Sequence, residues 1–488
     1  MKENELGSKI ISAAKWASIT EIAAKLVSPI TNMILARILV PEAFGVIATV
    51  TMITSFSDMF TDSGFQKYLV QHEFKSEKAK HENANVAFWT NFVISMILWF
   101  IITLFREKIA ILVGSPGLGN VIAIACFQLP LTSFSSIQMA LYRRSFDYKS
   151  LFLVRMISVC IPFVVTIPLA ILGLGYWSMI IGTIAIQISN AIILTIKSKW
   201  KPKFFYSKKI LVTMFSFSIW SLIEAISIWL TTWVDSFLVG NALDQYYLGL
   251  YKTSTSMVNT LMALITSTLI PVLFSTLSRL QDDDQKFNKI FFKFQRVVSI
   301  IVFPIGVGVW LYSDLATKIL LGSQWIEASG VIGVWAVTSS IQIVFGNFSS
   351  TAYMSKGRPK LSLLAQFLHL IILVPVCFIS LKYGFWPFIY ARSGIRIHLV
   401  VVHFIIMNFI VKIKVSEMLK NVLPTIISSL TMGGVGYLLQ QIDTGFGWEL
   451  LSILVCLVVY FGMLFLFKNM KNEMFELLSK FTPKSITK

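Results

Sequence analysis

Fourteen runs of about twenty mostly apolar residues, separated by short polar turns, fill this chain from residue 10 to residue 467. A run of that length matches the hydrocarbon thickness of a bilayer. Inside a bilayer only a helix or a closed barrel can satisfy its own backbone. The runs are continuously apolar rather than alternating, which points to helices. Spans are expected near 10–37, 43–63, 84–105, 119–141, 150–172, 176–196, 211–239, 247–274, 296–320, 328–353, 361–381, 386–411, 421–439 and 448–467. Composition agrees: 56% of the residues are hydrophobic, 14% are charged, and mean hydropathy is +0.74. A water-soluble domain cannot hide that much apolar surface. The expected fold class is an all-α polytopic membrane protein with about 14 transmembrane helices.

The formal charge of +18 would suggest a nucleic-acid partner in a soluble protein. Here it is loop charge that sets orientation, and no nucleic acid is expected. An even number of spans puts both termini on one side. Of the 42 lysines and arginines, 31 fall in the segments on that side, against Arg106, Lys108, Lys318 and Lys382 on the other. Positively charged loops stay inside, so both termini are expected to be cytoplasmic. The first apolar run lacks a cleavage-like tail and reads as a retained helix. Cys126, Cys160, Cys377 and Cys456 all lie inside apolar runs, without disulfide or metal-ligand spacing.

Two runs carry nearly the same polar stripe. In the first, Ser18, Glu21, Lys25, Ser28 and Asn32 recur at steps of three and four. In the seventh, Ser221, Glu224, Ile228, Thr231 and Asp235 do the same. Such spacing puts each set on one helix face, and a lipid-facing stripe of this kind would cost several kcal/mol. Both faces are therefore expected to look onto a wet interior. The duplication continues: Ala43-Phe44-Gly45-Val46 corresponds to Tyr247-Leu248-Gly249-Leu250, and the basic turn Arg143, Arg144, Lys149 to Lys356, Arg358, Lys360. A repeat of six helices preserves direction, so two parallel repeats about an axis normal to the membrane are expected. The expected organisation is residues 1–196 as an N-lobe of spans 1–6, 197–210 as a basic linker, 211–411 as a C-lobe of spans 7–12, and 412–488 as an appended helix pair and tail.

Several turns resemble a known family. The segment Ile34 to Gly45 is similar to the first outer turn of bacterial polysaccharide exporters. Asp62 to Gln71, an acidic-glycine turn ending in Val-Gln, resembles a second signature. Tyr142 to Lys149 and Lys356 to Lys360 resemble two more. On these motifs the chain resembles the oligosaccharide-lipid flippases, the Wzx-like branch of the multidrug/oligosaccharidyl-lipid/polysaccharide superfamily. The resemblance implies V-shaped six-helix lobes and alternating access in a bacterial cytoplasmic (inner) membrane. It also implies a polyprenyl-diphosphate-linked oligosaccharide moved to the outer leaflet for polymerisation. Membrane lipids, H+ or Na+ as coupling ion, and the polysaccharide polymerase machinery are the implied partners.

A diphosphate crossing a low-dielectric layer needs cations in place of its lost hydration. The candidates within spans are Lys15, Lys25, Arg155, Lys252, Arg392 and Arg396. Arg392 and Arg396 are four apart and share a face. For Lys15, Arg155 and Lys252, near span ends, snorkelling to the interface is the competing account. Glu21 and Lys25 are spaced as an ion pair. Glu224 has Ile228 where a lysine would pair with it, which makes it the first candidate for ion coupling. Asp235, Asp58 and Asp62 follow, although each lies near a span end where solvation or helix capping would explain it. The amides Gln187, Asn190, Asn259, Gln342, Asn347 and Gln366, with Ser28 and Asn32, are candidates to meet sugar hydroxyls. Trp220, Trp229 and Trp233 are candidates to stack on sugar rings. Interhelical hydrogen bonding and packing compete with those roles. His369, His398 and His403 read as packed neutral imidazoles, with proton relay as the alternative.

Asp282-Asp-Asp284 reads as a solvated turn. Beyond it, Lys286, Lys289, Lys293 and Arg296 alternate with Phe287, Ile290, Phe291 and Phe294, the pattern of a basic amphipathic helix lying on the inner leaflet. Gly114 to Gly119 is glycine-rich but lacks the lysine of a phosphate-binding loop. No cofactor, catalytic residue or metal is expected, and the chain reads as a transporter rather than an enzyme. A multidrug or organic-cation antiporter and a peptidoglycan-precursor flippase of the same superfamily are the alternatives. A cation exporter should line its interior with acids, whereas this chain places at least as many cations within its spans.

Overall fold

A computed structural model of the chain describes the backbone of residues 3–62, 64–467 and 470–471. It also describes their side chains, except those of 3–11, 14, 62, 217–221 and 224. Among the described residues every regular element is a helix. Thirteen helices are long and apolar enough to cross a membrane among those residues. They are span 1 (Lys15–Ile38), 2 (Pro41–Thr61), 3 (Glu77–Leu104), 4 (Gly119–Arg144), 5 (Tyr148–Ile171), 6 (Tyr176–Lys197) and 8 (Gln245–Ser278), followed by 9 (Asp284–Leu311), 10 (Ala328–Ser355), 11 (Pro359–Leu381), 12 (Phe385–Val411), 13 (Val415–Gln440) and 14 (Phe446–Leu466). Span 7 is the 35-residue helix Lys208–Ala242. The chain is thus an all-α, multi-pass membrane protein. Large apolar side chains such as Phe100, Val164, Ile196, Phe409 and Val458 stand exposed on the spans, as a lipid-facing surface requires.

The chain divides into two compact units, Met1–Lys252 and Thr253–Lys488. The division falls inside span 8, because span 7 packs along span 2. The indole Nε1 of Trp229 donates to the Met52 carbonyl at 3.3 Å and to Ser55 Oγ at 3.1 Å, and its ring meets Phe56 edge-on. Trp229 is therefore a packing residue between helices. The core beneath it holds Val46, Val50, Met52, Ile53, Ile122 and Leu129.

At the end of this unit with few charges, the first turns of spans 2 and 8 touch backbone to backbone. A Cβ on Gly45 would lie 1.9 Å from the Gln245 carbonyl oxygen, and one on Gly249 would lie 1.9 Å from that of Pro41. These glycines are the equivalent positions of the sequence repeat, so the duplicated turns pack on each other reciprocally. Gln245 reinforces the contact by accepting from Thr49 Oγ1 of span 2 at 3.3 Å, and it donates to Ser115 Oγ at 2.7 Å.

At the basic end of the same unit, two of the sequence signatures meet. The turn after span 2 contains a short helix, Phe65–Gln71. Arg144, at the end of span 4, donates to the carbonyls of Leu69, Val70 and His72, and lies over the Phe74 ring. These carbonyls are the ones a helix C-terminus leaves without partners. Arg143 donates to Gln66 Oε1 at 3.1 Å. The family-like turns 62–71 and 142–149 are thus two halves of one joint.

In the second unit, spans 13 and 14 dock on span 9 through polar contacts. Arg296 donates to Asn421 Oδ1 at 2.7 Å, Asn421 donates to Gln295 Oε1 at 3.0 Å, and Tyr460 donates to the Ile300 carbonyl at 2.8 Å. Span 9 corrects the expectation of a separate interfacial helix. The basic segment from Lys286 to Arg296 is the start of one continuous helix, Asp284–Leu311. Phe287 and Phe291 are fully buried inside the unit rather than laid on lipid, and the Lys356 ammonium sits 4.6 Å from the Phe287 ring centre. The aromatic face found a protein partner, a choice that periodicity alone does not settle. Asp283 caps this helix, accepting from the Lys286 amide at 3.0 Å and pairing with its ammonium at 2.9 Å. That ammonium holds the Asp283 carboxyl below the usual carboxylate range.

Candidate functional site

The second unit gathers the clearest cationic group. Arg392 and Arg396, one turn apart on span 12, both lie over the ring of Trp335 on span 10. Their guanidinium carbons are 5.2 and 4.2 Å from its centre. A cation held over an indole face is stabilised by the ring quadrupole, more so when it is shielded from water. Arg396 also donates to Ser339 Oγ at 2.8 Å, and Trp335 Nε1 donates to Asn259 Oδ1 at 3.1 Å. Trp335 is thereby fixed from its edge while its face carries the arginines. Arg392 is 8% exposed, whereas Arg396 is half-buried. Span 10 shifts into a π-helical turn, Gln342–Asn347, immediately after this group; such bulges recur at functional sites.

His369 and His398 stack beside the arginines with ring centres 6.5 Å apart. Both Nδ1 atoms are buried without a hydrogen-bond partner among the described residues. His403 differs: its Nδ1 meets the Tyr353 hydroxyl at 2.9 Å.

In the first unit, Glu21 and Arg155 line one cavity of about 300 Å3 together with Arg143, Tyr148 and Asn190. The spacing of Glu21 and Lys25 does produce a contact, with Lys25 Nζ 3.7 Å from Glu21 Oε2. Ser18, Glu21, Ser28 and Asn32 are exposed, so the stripe of span 1 is not covered within its unit. Lys15 is exposed and apart from this cavity. Asn190 accepts from Ser158 Oγ at 2.6 Å.

Asp235 and Lys252 belong to a third group, where spans 7 and 8 meet. Asp235 is 3% exposed, which replaces the solvated span end expected from its position. It accepts from the Tyr251 hydroxyl at 2.7 Å and from the Ser236 amide at 2.6 Å. Lys252 sits 3.8 Å from the Trp233 ring centre and donates to the Thr232 carbonyl at 3.3 Å. Asp58 is half-buried on span 2, apart from these groups. The side chains of Glu224, Asp62 and Trp220 lie outside the described residues.

Sequence reasoning missed Trp335 and Ser339 as partners of the arginines, and missed Arg143 and Tyr148 beside Glu21. Trp335 lies in an apolar run where a tryptophan reads as packing. Only the pairing of spans 10 and 12 distinguishes it.

A helical membrane fold with cations held inside its spans is of a transporter-like class. The chain belongs to the polysaccharide biosynthesis protein family, which matches residues 34–330. It is 25% identical over 328 residues to the succinoglycan biosynthesis transport protein ExoT of Rhizobium meliloti (strain 1021), covering 67% of this chain and 65% of ExoT. It is 20% identical over 381 residues to the lipopolysaccharide biosynthesis protein WzxC of Escherichia coli (strain K12), covering 77% and 76% of the two chains. Among solved structures, the lipid II flippase MurJ in an inward closed conformation matches with a TM-score of 0.75. It is 17% identical, covering 93% of this chain and 98% of MurJ, a likeness of fold.

Proposed function

We propose that the chain is a flippase for a polyprenyl-diphosphate-linked oligosaccharide, carrying it from the inner to the outer leaflet of a bacterial cytoplasmic membrane for polysaccharide assembly. Transport proceeds by alternating access of the two six-span repeats, with both termini cytoplasmic. The observation that carries this reading is the pair of arginines held over Trp335. Two guanidinium groups on one face suit a diphosphate, because planar donors match phosphate oxygens and remain charged in a low-dielectric site. Lys25 and Arg155 would take the same anion in the first unit, with Lys15 and Lys252 toward span ends. Glu224 is the proposed coupling residue for H+ or Na+, followed by Glu21, Asp235 and Asp58. Family membership and the likeness to ExoT, a succinoglycan biosynthesis transport protein, and WzxC, a lipopolysaccharide biosynthesis protein, support a polysaccharide cargo.

The test is depletion of the protein in its native cell. A surface polysaccharide should disappear while its lipid-linked precursor accumulates on the inner leaflet. Unchanged polysaccharide with no accumulated precursor would overturn the reading. The fold likeness to MurJ favours a second reading, a flippase for a peptidoglycan precursor. In that case depletion would instead arrest cell-wall synthesis, and expression of this chain would rescue cells lacking MurJ.

A further inference from the structure

A cavity of about 610 Å3 opens at the basic end of the first unit, separate from Glu21 and Arg155. That volume lies in the range of pockets that hold small molecules. One wall is the basic segment after span 6, which the proposed transport cycle does not use. This wall is built rather than loose. The Lys203 amide donates to Asn85 Oδ1 at 3.0 Å, Trp89 Nε1 donates to the Lys203 carbonyl at 3.0 Å, and Trp89 stacks on Phe204. Trp200 is 5% exposed and packs against Phe88. Lys197 and Lys199 are thereby presented from an anchored strip.

The charges of the cavity are of both signs. Lys197 and Lys199 are exposed and form no ion pair among the described residues. Across from them, Lys80 and His81 complete the charged lining and both meet Glu77, and Asp147 caps span 5 by accepting from the Ser150 amide and hydroxyl. Trp200, in the same lining, has its indole Nε1 buried without an acceptor among the described residues. A buried donor left in that state is unfavourable unless a ligand or water supplies the acceptor.

Inorganic phosphate would engage the ammoniums of Lys197 and Lys199 but leave the acceptor oxygens of Glu77 and Asp147 unused. A neutral sugar would leave the ammoniums of Lys197 and Lys199 unused. A ligand with a phosphate at one end and hydroxyls at the other satisfies both. The geometry points to a glycosyl-phosphate site here: Lys197 and Lys199 take the phosphate oxygens, and Glu77 and Asp147 accept from sugar hydroxyls. This deepens the flippase reading and rests on it for the source of the ligand, which is then the head group of the lipid-linked cargo met before entry. A soluble sugar phosphate has the same chemistry, and the site would stand without the flippase reading.

The experiment is titration of the purified full chain in detergent with the 1-phosphates of glucose, galactose and N-acetylglucosamine, and with inorganic phosphate and glucose. At least one glycosyl phosphate should bind more tightly than both phosphate and glucose. Lys197→Ala with Lys199→Ala should weaken it about tenfold, and Lys197→Arg with Lys199→Arg should retain it. If no glycosyl phosphate exceeds inorganic phosphate, or the double alanine variant binds as the wild type does, the proposal is overturned. Competition by a prenyl-diphosphate-linked sugar in nanodiscs supports the cargo as source. Binding of the soluble form without such competition keeps the site and overturns its link to the cargo. Because binding is read without transport, its failure is distinct from failure of the depletion test.

Discussion

At the residue scale, the intramembrane cations divide by what holds them. Lys25 has an exposed carboxylate partner one turn away. Such a pair contributes only about 0.3–0.5 kcal/mol to a helix, so Lys25→Ala should leave the fold intact. Arg396 is held by an indole face and one hydroxyl. Its removal leaves Ser339 free to bond its own helix, and Arg392 still covers Trp335. For both Lys25→Ala and Arg396→Ala, the expectation is wild-type amounts of protein in the membrane with surface polysaccharide reduced about tenfold, as loss of a charge-assisted phosphate contact implies. Wild-type polysaccharide in either variant would remove that residue from the cargo path. The Glu21–Lys25 contact was legible because both partners lie on one helix at a known spacing. The Arg396–Ser339 contact was not, because its partners are 57 residues apart on different spans.

At the element scale, hydropathy found the spans but misplaced several ends. Span 3 begins at Glu77 and span 9 at Asp284, each several residues before its apolar run. A helix does not stop where the lipid does; it stops where its caps are. Ser76 accepts from the Ala79 amide and Asp283 from the Lys286 amide. The reciprocal approach of Gly45 and Gly249 was legible as a repeated motif but not as a contact. No side chain fits there: a methyl group on either glycine meets a carbonyl oxygen far inside van der Waals distance. Gly249→Ala should therefore force the first turns of spans 2 and 8 apart. Ser115, 2% exposed beside this contact, provides the reporter. In a background without the native cysteines, Ser115→Cys should react faster with a membrane-impermeant thiol reagent when Gly249→Ala is added. An unchanged rate would mean that the turns tolerate the methyl group without separating.

At the scale of the whole molecule, the fold was legible because a bilayer leaves so few solutions. Runs of fixed length, an even count and one-sided loop charge together define an all-α polytopic chain before any contact is known. The site was less so, because opposite charges and aromatic faces on distant spans meet only once the helices pack. What duplication adds is a comparison between halves. Position 25 is lysine and position 228 is isoleucine, so the repeat conserves the glutamate and discards its counter-charge. In the first half Lys25 supplies Glu21 with a counter-charge 3.7 Å away. In the second, Ile228 is exposed and provides Glu224 with no counter-charge one turn away. If one half binds the coupling ion, this asymmetry assigns the task to the second. Glu224→Gln keeps the size and hydrogen-bonding capacity of the side chain while removing its titration. In proteoliposomes, flipping by the wild-type chain should respond to an imposed proton or sodium gradient, and flipping by Glu224→Gln should not. Restoring the missing counter-charge with Ile228→Lys should likewise blunt the response by making the second half resemble the first. A gradient response that survives both substitutions would place ion coupling elsewhere in the chain.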